Sequence, residues 1–153
     1  MALTGPQKAL LEAAKKTALQ LGELGKELTG LIGELSACEK EDLTWEPSKG
    51  YDAKTSSGQR VQIKTRRALV APFVRKAETM GWFGRRNKSE YSFDIAMYVE
   101  LDKNFSLVGK GIWQMSAAEV CQLERVGTST WGFRVGAFKN YVESKMIEEQ
   151  AGR

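Results

Sequence analysis

The chain contains no histidine, two cysteines and three prolines. The absence of histidine excludes a Ser-His-Asp triad, a zinc–histidine site and acid–base catalysis by imidazole. Cys38 and Cys121 are far apart in the chain and lack metal-ligand spacing, so we expect two reduced thiols. Because no long apolar run or signal-peptide pattern occurs, we expect a cytoplasmic protein that does not span a membrane. Because the chain has no histidine, any catalysis must use carboxylates, lysine and a metal ion.

The composition is that of one folded domain covering residues 1–153. Of the 153 residues, 42% are hydrophobic and 27% are charged, which is sufficient for a sizeable core.

Positive charge is concentrated in one segment. Between Lys54 and Lys88, ten Lys and Arg accompany one acid, Glu78, whereas the rest of the chain has 13 basic and 18 acidic residues. This asymmetry predicts a polyanionic partner that binds one side of the molecule.

The N-terminal region, residues 1–40, has a helical pattern. Apolar residues recur with three- and four-residue spacing from about residue 6 to 39, and Thr4 can cap the first turn. Four glycines between residues 22 and 33 weaken a helix interior, so two shorter helices are an alternative to one long helix. We expect this region to pack on a sheet or against a second subunit.

The rest of the chain contains strand and turn signals, with few helical ones. We predict strands at 43–46, 50–55, 60–66, 91–101 and 105–115, and a small edge strand within 127–136. We predict short helices from 117 to about 124 and from 140 to about 149, and mostly loop at 67–90. This arrangement indicates an α/β (α+β) fold in which a mixed β-sheet is flanked by helices.

The hairpin at 50–66 carries three side chains with complementary chemistry. Asp52 lies on its first strand, and Gln62 and Lys64 share one face of its second strand because they are two residues apart. A carboxylate and an amide oxygen are suitable ligands for a hard divalent cation. A lysine beside them can orient water or neutralise charge that develops on a phosphate. The spacing therefore favours hydrolysis of a phosphodiester bond.

Asp52 followed by Gln62-Ile63-Lys64 resembles the PD-(D/E)XK motif of restriction-endonuclease-like nucleases. Two positions depart from that motif. Tyr51 replaces its proline, and Gln62 replaces the acidic residue of (D/E)XK. Because glutamine coordinates without contributing charge, the second departure should weaken Mg²⁺ binding.

The resemblance implies a set of site residues and a cofactor. The catalytic residues would be Asp52, Gln62, Lys64 and Glu34, the last because such nucleases often carry a glutamate on the first helix that reaches the metal site. Asp52, Gln62 and the carbonyl of Ile63 would bind Mg²⁺ or Mn²⁺. The alternative interpretation of Glu34 is a solvated glutamate at the margin of an amphipathic helix.

Basic and aromatic residues dominate the segment after the hairpin. Basic side chains neutralise phosphates, and exposed aromatic rings stack on unpaired bases. We therefore predict a nucleic-acid-binding set that consists of Arg66, Arg67, Arg75, Lys76, Trp82, Arg85, Arg86 and Lys88. In the alternative interpretation, Trp82 and Phe83 belong to the core.

Two functions are consistent with these features. The first is a metal-dependent DNA endonuclease, expected to be a homodimer because cutting both strands requires two active sites. The second is a nuclease-like module that binds nucleic acid or a protein partner and is catalytically weak or inactive. The neutral Gln62 and an N-terminal helix suited to dimer contacts favour the second.

Overall fold

The protein is described by a computed structural model that covers residues 3–21, 28–67 and 92–119, together with the backbone of 82–86 and 130–134. Two helices and seven strands lie in these ranges. The helices are α1 (Gly5–Leu21) and α2 (Thr29–Lys40). The strands are β1 (Thr44–Ser48), β2 (Tyr51–Lys54), β3 (Arg60–Arg67), β4 (Trp82–Arg86), β5 (Ile95–Leu101), β6 (Leu107–Ser116) and β7 (Thr130–Arg134).

Five of the strands form one mixed sheet in the order β1-β2-β3-β5-β6. β3 and β5 are parallel, whereas the other neighbouring pairs are antiparallel. β4 and β7 pair separately as a two-stranded antiparallel ribbon. The predicted α+β fold with a mixed sheet and an N-terminal helical region is therefore confirmed.

The N-terminal region forms two helices. At the start of α1, the Thr4 Oγ1 accepts a hydrogen bond from the Gln7 amide, and the Gln7 side chain accepts one from the Thr4 amide. This reciprocal pair confirms Thr4 as the cap. α1 buries Leu11, Ala14 and Ala18, and α1 contacts α2 within the same chain.

The second helix lies very close to the middle strand of the sheet. A β carbon added at Gly33 would be 1.9 Å from the Thr65 Oγ1, so only glycine permits this approach. Ile32 and Leu35, on either side of the Gly33–Glu34 pair, are fully buried in the core. The close packing brings α2, and Glu34 with it, down towards β3.

The predicted hairpin and the two long strands are present with shifted ends. β2 and β3 are joined by a turn in which the Gly58 amide bonds to the Thr55 carbonyl. β5 begins at Ile95, not at residue 91, because the Asp94 carboxylate binds the backbone and guanidinium of Arg60. β6 begins at Leu107, since buried Phe105 adopts φ 63° in the preceding turn.

Two predictions about the second half of the chain were incomplete. The loop predicted at 67–90 contains β4, and β7, within the predicted 127–136 strand, pairs with β4 and not with the large sheet. The helix at 117 begins as predicted, with the Glu119 amide 3.2 Å from the Ser116 Oγ. The predicted helix at 140–149 lies outside the described residues.

None of the described helices is sufficiently long and apolar to cross a membrane.

Candidate functional site

The pairing between β2 and β3 stops beside Asp52. Lys54 pairs with Arg60 and Ala53 with Val61, and the next pair in this register would be Asp52 with Gln62. Instead, the Asp52 Oδ2 accepts a hydrogen bond of 2.8 Å from the Ile63 amide. The Ile63 amide, which would otherwise bond to the backbone of the neighbouring strand, therefore donates to the Asp52 carboxylate. The carbonyl of Ile63 lies on the same edge of β3 as its amide and is directed to the same gap.

Glu34 reaches this gap from the helix above. Its carboxyl lies close enough to that of Asp52 for each to shift the pKa of the other, and its Oε2 accepts a hydrogen bond of 3.1 Å from the Trp45 indole nitrogen. Trp45 is half-buried on β1, opposite Ala53 of β2. Three elements, α2, β1 and β2, thus fix the two carboxyl groups, and Glu34 is not a freely solvated side chain.

The environment of the two carboxyls favours a shared proton. Burial raises the pKa of Glu34 to about 7, and the neighbouring Asp52 adds to this rise while Trp45 and Lys64 oppose it. Burial also raises the pKa of Asp52, against the lowering effects of the Ile63 amide and the Lys64 ammonium. Without a cation, Glu34 therefore holds a proton below about pH 7, and the Lys64 ammonium acts electrostatically on both groups.

Gln62 contributes an oxygen with an unmet hydrogen-bonding requirement. Within the described part of the chain, its side-chain Oε1 is buried and accepts no hydrogen bond. A buried carbonyl oxygen without a partner is unfavourable by about 1–3 kcal/mol, so a ligand that satisfies it is favoured. Gln62 follows Val61, the last residue of β3 that pairs with β2 on this side, and lies on the same face of β3 as Lys64.

The donor set fits a hard divalent cation. The Asp52 and Glu34 carboxylates, the Gln62 amide oxygen and the Ile63 carbonyl are all oxygen ligands of the kind that Mg²⁺ and Mn²⁺ prefer. In residues 3–21, 28–67 and 92–119, no group of three His, Cys, Asp or Glu side chains is placed to hold a metal. A cation here would therefore depend on the neutral Gln62 oxygen in addition to two acids.

Arg66 and Arg67, both predicted to bind nucleic acid, make contacts within the protein. The Arg66 guanidinium lies 3.5 Å from the buried Glu100 carboxylate, which also accepts a 2.8 Å hydrogen bond from Tyr98. The Arg67 guanidinium stacks 4.0 Å from the Phe105 ring and donates to the Lys103 carbonyl. Both arginines hold the end of β3 to β5 and to the turn that follows it.

The other predicted nucleic-acid-binding residues are placed less fully. Trp82, Arg85 and Arg86 lie on β4, of which the structure describes the backbone. Arg75, Lys76 and Lys88 lie outside the described residues.

Two residues near the site were not identified from the sequence. Trp45 was predicted only as part of a strand, because no spacing rule connects it with Glu34. Cys38 lies one helical turn beyond Glu34 and is buried. Burial and the nearby Glu34 and Asp52 raise the pKa of this thiol to about 12, so it is unreactive at neutral pH.

Comparison of the sequence with models of known protein families gives no match, and comparison with curated proteins gives none.

Proposed function

We propose that the chain is a metal-dependent DNA endonuclease of the restriction-endonuclease-like superfamily. The observation that supports the proposal is that the Glu34 and Asp52 carboxyls lie together where β2 and β3 stop pairing, within electrostatic range of the Lys64 ammonium. The unpartnered oxygen of Gln62 belongs to the next position in the same register. Two acids, a neutral oxygen donor and an ammonium group form the set of groups that phosphodiester hydrolysis requires.

Asp52, Glu34, Gln62 and the Ile63 carbonyl would hold the cation, Mg²⁺ or Mn²⁺. When bound, the cation supplies Lewis-acid stabilisation of phosphate charge and an acidified water. The chain has already fixed two of these ligands: the Ile63 amide orients Asp52, and the Trp45 indole orients Glu34. Preorganised ligands lose less conformational freedom when a cation binds.

The remaining chemistry belongs to Lys64 and Glu34. The Lys64 ammonium is placed near both carboxyls and would neutralise charge on a phosphate or orient the attacking water. The Glu34 carboxyl has a pKa raised to about 7 without a cation, so binding of the cation would displace its proton near neutral pH. These roles require no histidine, in agreement with the composition.

A catalytically weak or inactive nuclease-like module is the second candidate. The observation in its favour is the low negative charge of the site, which holds two carboxyls that share a proton and a neutral Gln62. Such a site would bind a cation weakly, and the protein would act by binding nucleic acid or an acidic protein surface.

Cleavage of supercoiled plasmid in Mg²⁺ or Mn²⁺ tests the proposal. We expect the wild-type protein to nick or linearise the plasmid, and Asp52→Ala and Lys64→Ala each to reduce the rate by at least about 100-fold. Gln62→Glu supplies the acid that the motif lacks and should raise the rate at limiting Mg²⁺. If the wild type, Asp52→Ala and Lys64→Ala behave alike, the second candidate replaces the first.

The same proposal includes a homodimer that acts in the cytoplasm. Cutting both strands requires two active sites, and α1 leaves Leu10, Leu19 and Leu21 exposed on the described part of its surface. Sedimentation equilibrium would measure the mass in solution. A mass that remains that of one chain at all concentrations would exclude the dimer.

A further inference from the structure

The β4–β7 ribbon brings together two parts of the chain that are widely separated in sequence. The register pairs Trp82 with Arg134 and Arg86 with Thr130, at the two ends of the ribbon. Gly84 pairs with Gly132 at its centre. Since directly opposite residues share a face and alternate residues along a strand do the same, these six positions belong to one face. We call it the glycine face.

The remaining four positions belong to the opposite face, which we call the aromatic face. It pairs Phe83 with Phe133 and Arg85 with Trp131. Three of its four residues are aromatic, whereas the glycine face has one aromatic residue, two arginines and two positions without a β carbon. The two faces therefore differ in character, as expected of a ribbon with an apolar side and a polar side.

The ribbon as a whole has three arginines and no acid among its ten residues. β4 also contacts β3, the strand that carries Gln62 and Lys64. A basic element in contact with that strand is complementary to the charge of the substrate that phosphodiester hydrolysis implies.

We propose that the glycine face of the β4–β7 ribbon binds DNA, with Arg86 and Arg134 at phosphate-contacting positions. That DNA is the partner rests on the proposed function. The inference adds β7, a segment for which the sequence predicted no contact with nucleic acid. The ribbon is about 13 Å long at 3.3 Å per residue, which corresponds to roughly four nucleotides of duplex rise. A two-stranded ribbon also fits the width of the major groove.

The paired glycines at the centre explain how a short ribbon would approach DNA closely. A strand residue without a β carbon lets another backbone come nearer, and two such residues, Gly84 and Gly132, stand in register between the positions of Arg86 and Arg134. Trp82, in register with Arg134, lies at the end of the same face, where an aromatic ring is suited to a base or a sugar.

The chain provides a matched control within the ribbon. Arg85 and Arg86 both belong to the set predicted from the sequence to bind nucleic acid, but they lie on opposite faces, so the ribbon proposal keeps Arg86 in that set and removes Arg85 from it. Replacing either one removes the same charge from adjacent positions of the chain. If the glycine face contacts phosphates, replacing Arg86 should weaken DNA binding more than replacing Arg85. If only net charge matters, the two replacements should weaken binding equally.

The test is fluorescence anisotropy with a labelled duplex in EDTA, where no cleavage occurs, at several salt concentrations. Arg86→Gln and Arg134→Gln should each weaken binding about 3- to 10-fold and lower the salt slope by about one, while Arg85→Gln should change affinity less than about 2-fold. Arg134→Lys should retain the salt slope because it keeps the charge. If Arg134→Gln melts at a lower temperature, the comparison of Arg86→Gln with Arg85→Gln is the test.

Equal effects of Arg85→Gln and Arg86→Gln, or no effect of Arg86→Gln and Arg134→Gln, would overturn the proposal. Absence of DNA binding by the wild type would also overturn it. Because the assay contains no divalent cation, these outcomes are separate from failure of the proposed nuclease activity: a protein that binds DNA through this face without cleaving plasmid retains the ribbon proposal and loses only the catalytic one.

Discussion

The indole nitrogen of Trp45 lies 3.1 Å from the Oε2 of Glu34, so a residue of β1 holds a carboxyl that belongs to α2. Trp45→Phe keeps the aromatic packing and removes this donor. We expect the variant to bind Mn²⁺ about 10-fold more weakly, because residues that orient metal ligands contribute on that scale. The measurement is Mn²⁺ titration of the folded variant by calorimetry.

A double-mutant cycle separates an effect through Glu34 from general loosening of the fold. If Trp45 acts through the Glu34 carboxyl, Trp45→Phe should have little effect on Mn²⁺ affinity once Glu34→Gln is present. An equal loss of affinity in both backgrounds would contradict the role of the hydrogen bond.

Glu34 should make the cation-free protein less stable as pH rises. Its pKa is raised from 4.5 to about 7 in the folded state, so the contribution to stability is fully present below pH 4.5 and is lost as pH rises through 7. Glu34→Gln mimics the protonated form. In EDTA at pH 8 it should be more stable than the wild type by on the order of 1 kcal/mol, since solvent screens a partly exposed carboxyl, and the difference should shrink towards zero near pH 4.5.

Urea unfolding at the two pH values checks this prediction. Glu12→Gln, at an exposed position of α1, is the control and should change the free energy of unfolding by less than about 0.5 kcal/mol at either pH. A Glu34→Gln variant that is less stable than the wild type at pH 8 would show that the carboxyl is not held in a desolvated site.

The contact between Gly33 and Thr65 should tolerate no added methyl group. In Gly33→Ala, the new β carbon would lie 1.9 Å from the Thr65 Oγ1 and 2.5 Å from its Cβ, so α2 must move away from β3. We expect a loss of about 1–3 kcal/mol in the free energy of unfolding, and weaker Mn²⁺ binding because Glu34 moves with the helix.

The matched control is another glycine of the same helix. Gly30→Ala meets nothing within 4 Å and should stabilise the protein by about 0.5–1 kcal/mol through helix propensity. Thermal or urea unfolding compares the two. If Gly33→Ala were as stable as Gly30→Ala, the close approach of α2 to β3 would be wrong.

Arg67 should contribute to stability through its contacts with the turn after β5. Arg67→Ala removes the stacking on Phe105 and the hydrogen bond to the Lys103 carbonyl, and should lower the free energy of unfolding by about 1–2 kcal/mol. Lys103→Ala leaves the backbone acceptor in place and should have little effect. Similar stability of the two variants, measured in urea, would contradict this structural role.

The sequence was sufficient to predict what depends on neighbouring residues. The alternation at 60–66 placed Gln62 and Lys64 on one face, and the turn at 55–58 brought the strand that carries Asp52 beside β3. The cap at Thr4 and the helix start after Ser116 follow equally local rules.

What could not be predicted depends on contacts between distant segments. The hydrogen bond from Trp45 to Glu34 exists only because β1 pairs with β2 beneath α2. The pairing of β4 with β7 joins strands far apart in the chain, and no short-range pattern specifies a partner at that separation. Arg66 and Arg67 carry the composition of a phosphate-binding segment, but Glu100 and Phe105, provided by β5 and the following turn, engage them.

Calorimetric titration of Mn²⁺ into the wild type, Asp52→Asn and Gln62→Glu tests the cation site most directly. We predict one bound cation per chain for the wild type, no detectable binding for Asp52→Asn, and affinity increased by on the order of 10-fold for Gln62→Glu, because a third carboxylate adds charge to an all-oxygen site. No binding by the wild type, or equal affinity for all three proteins, would contradict the account.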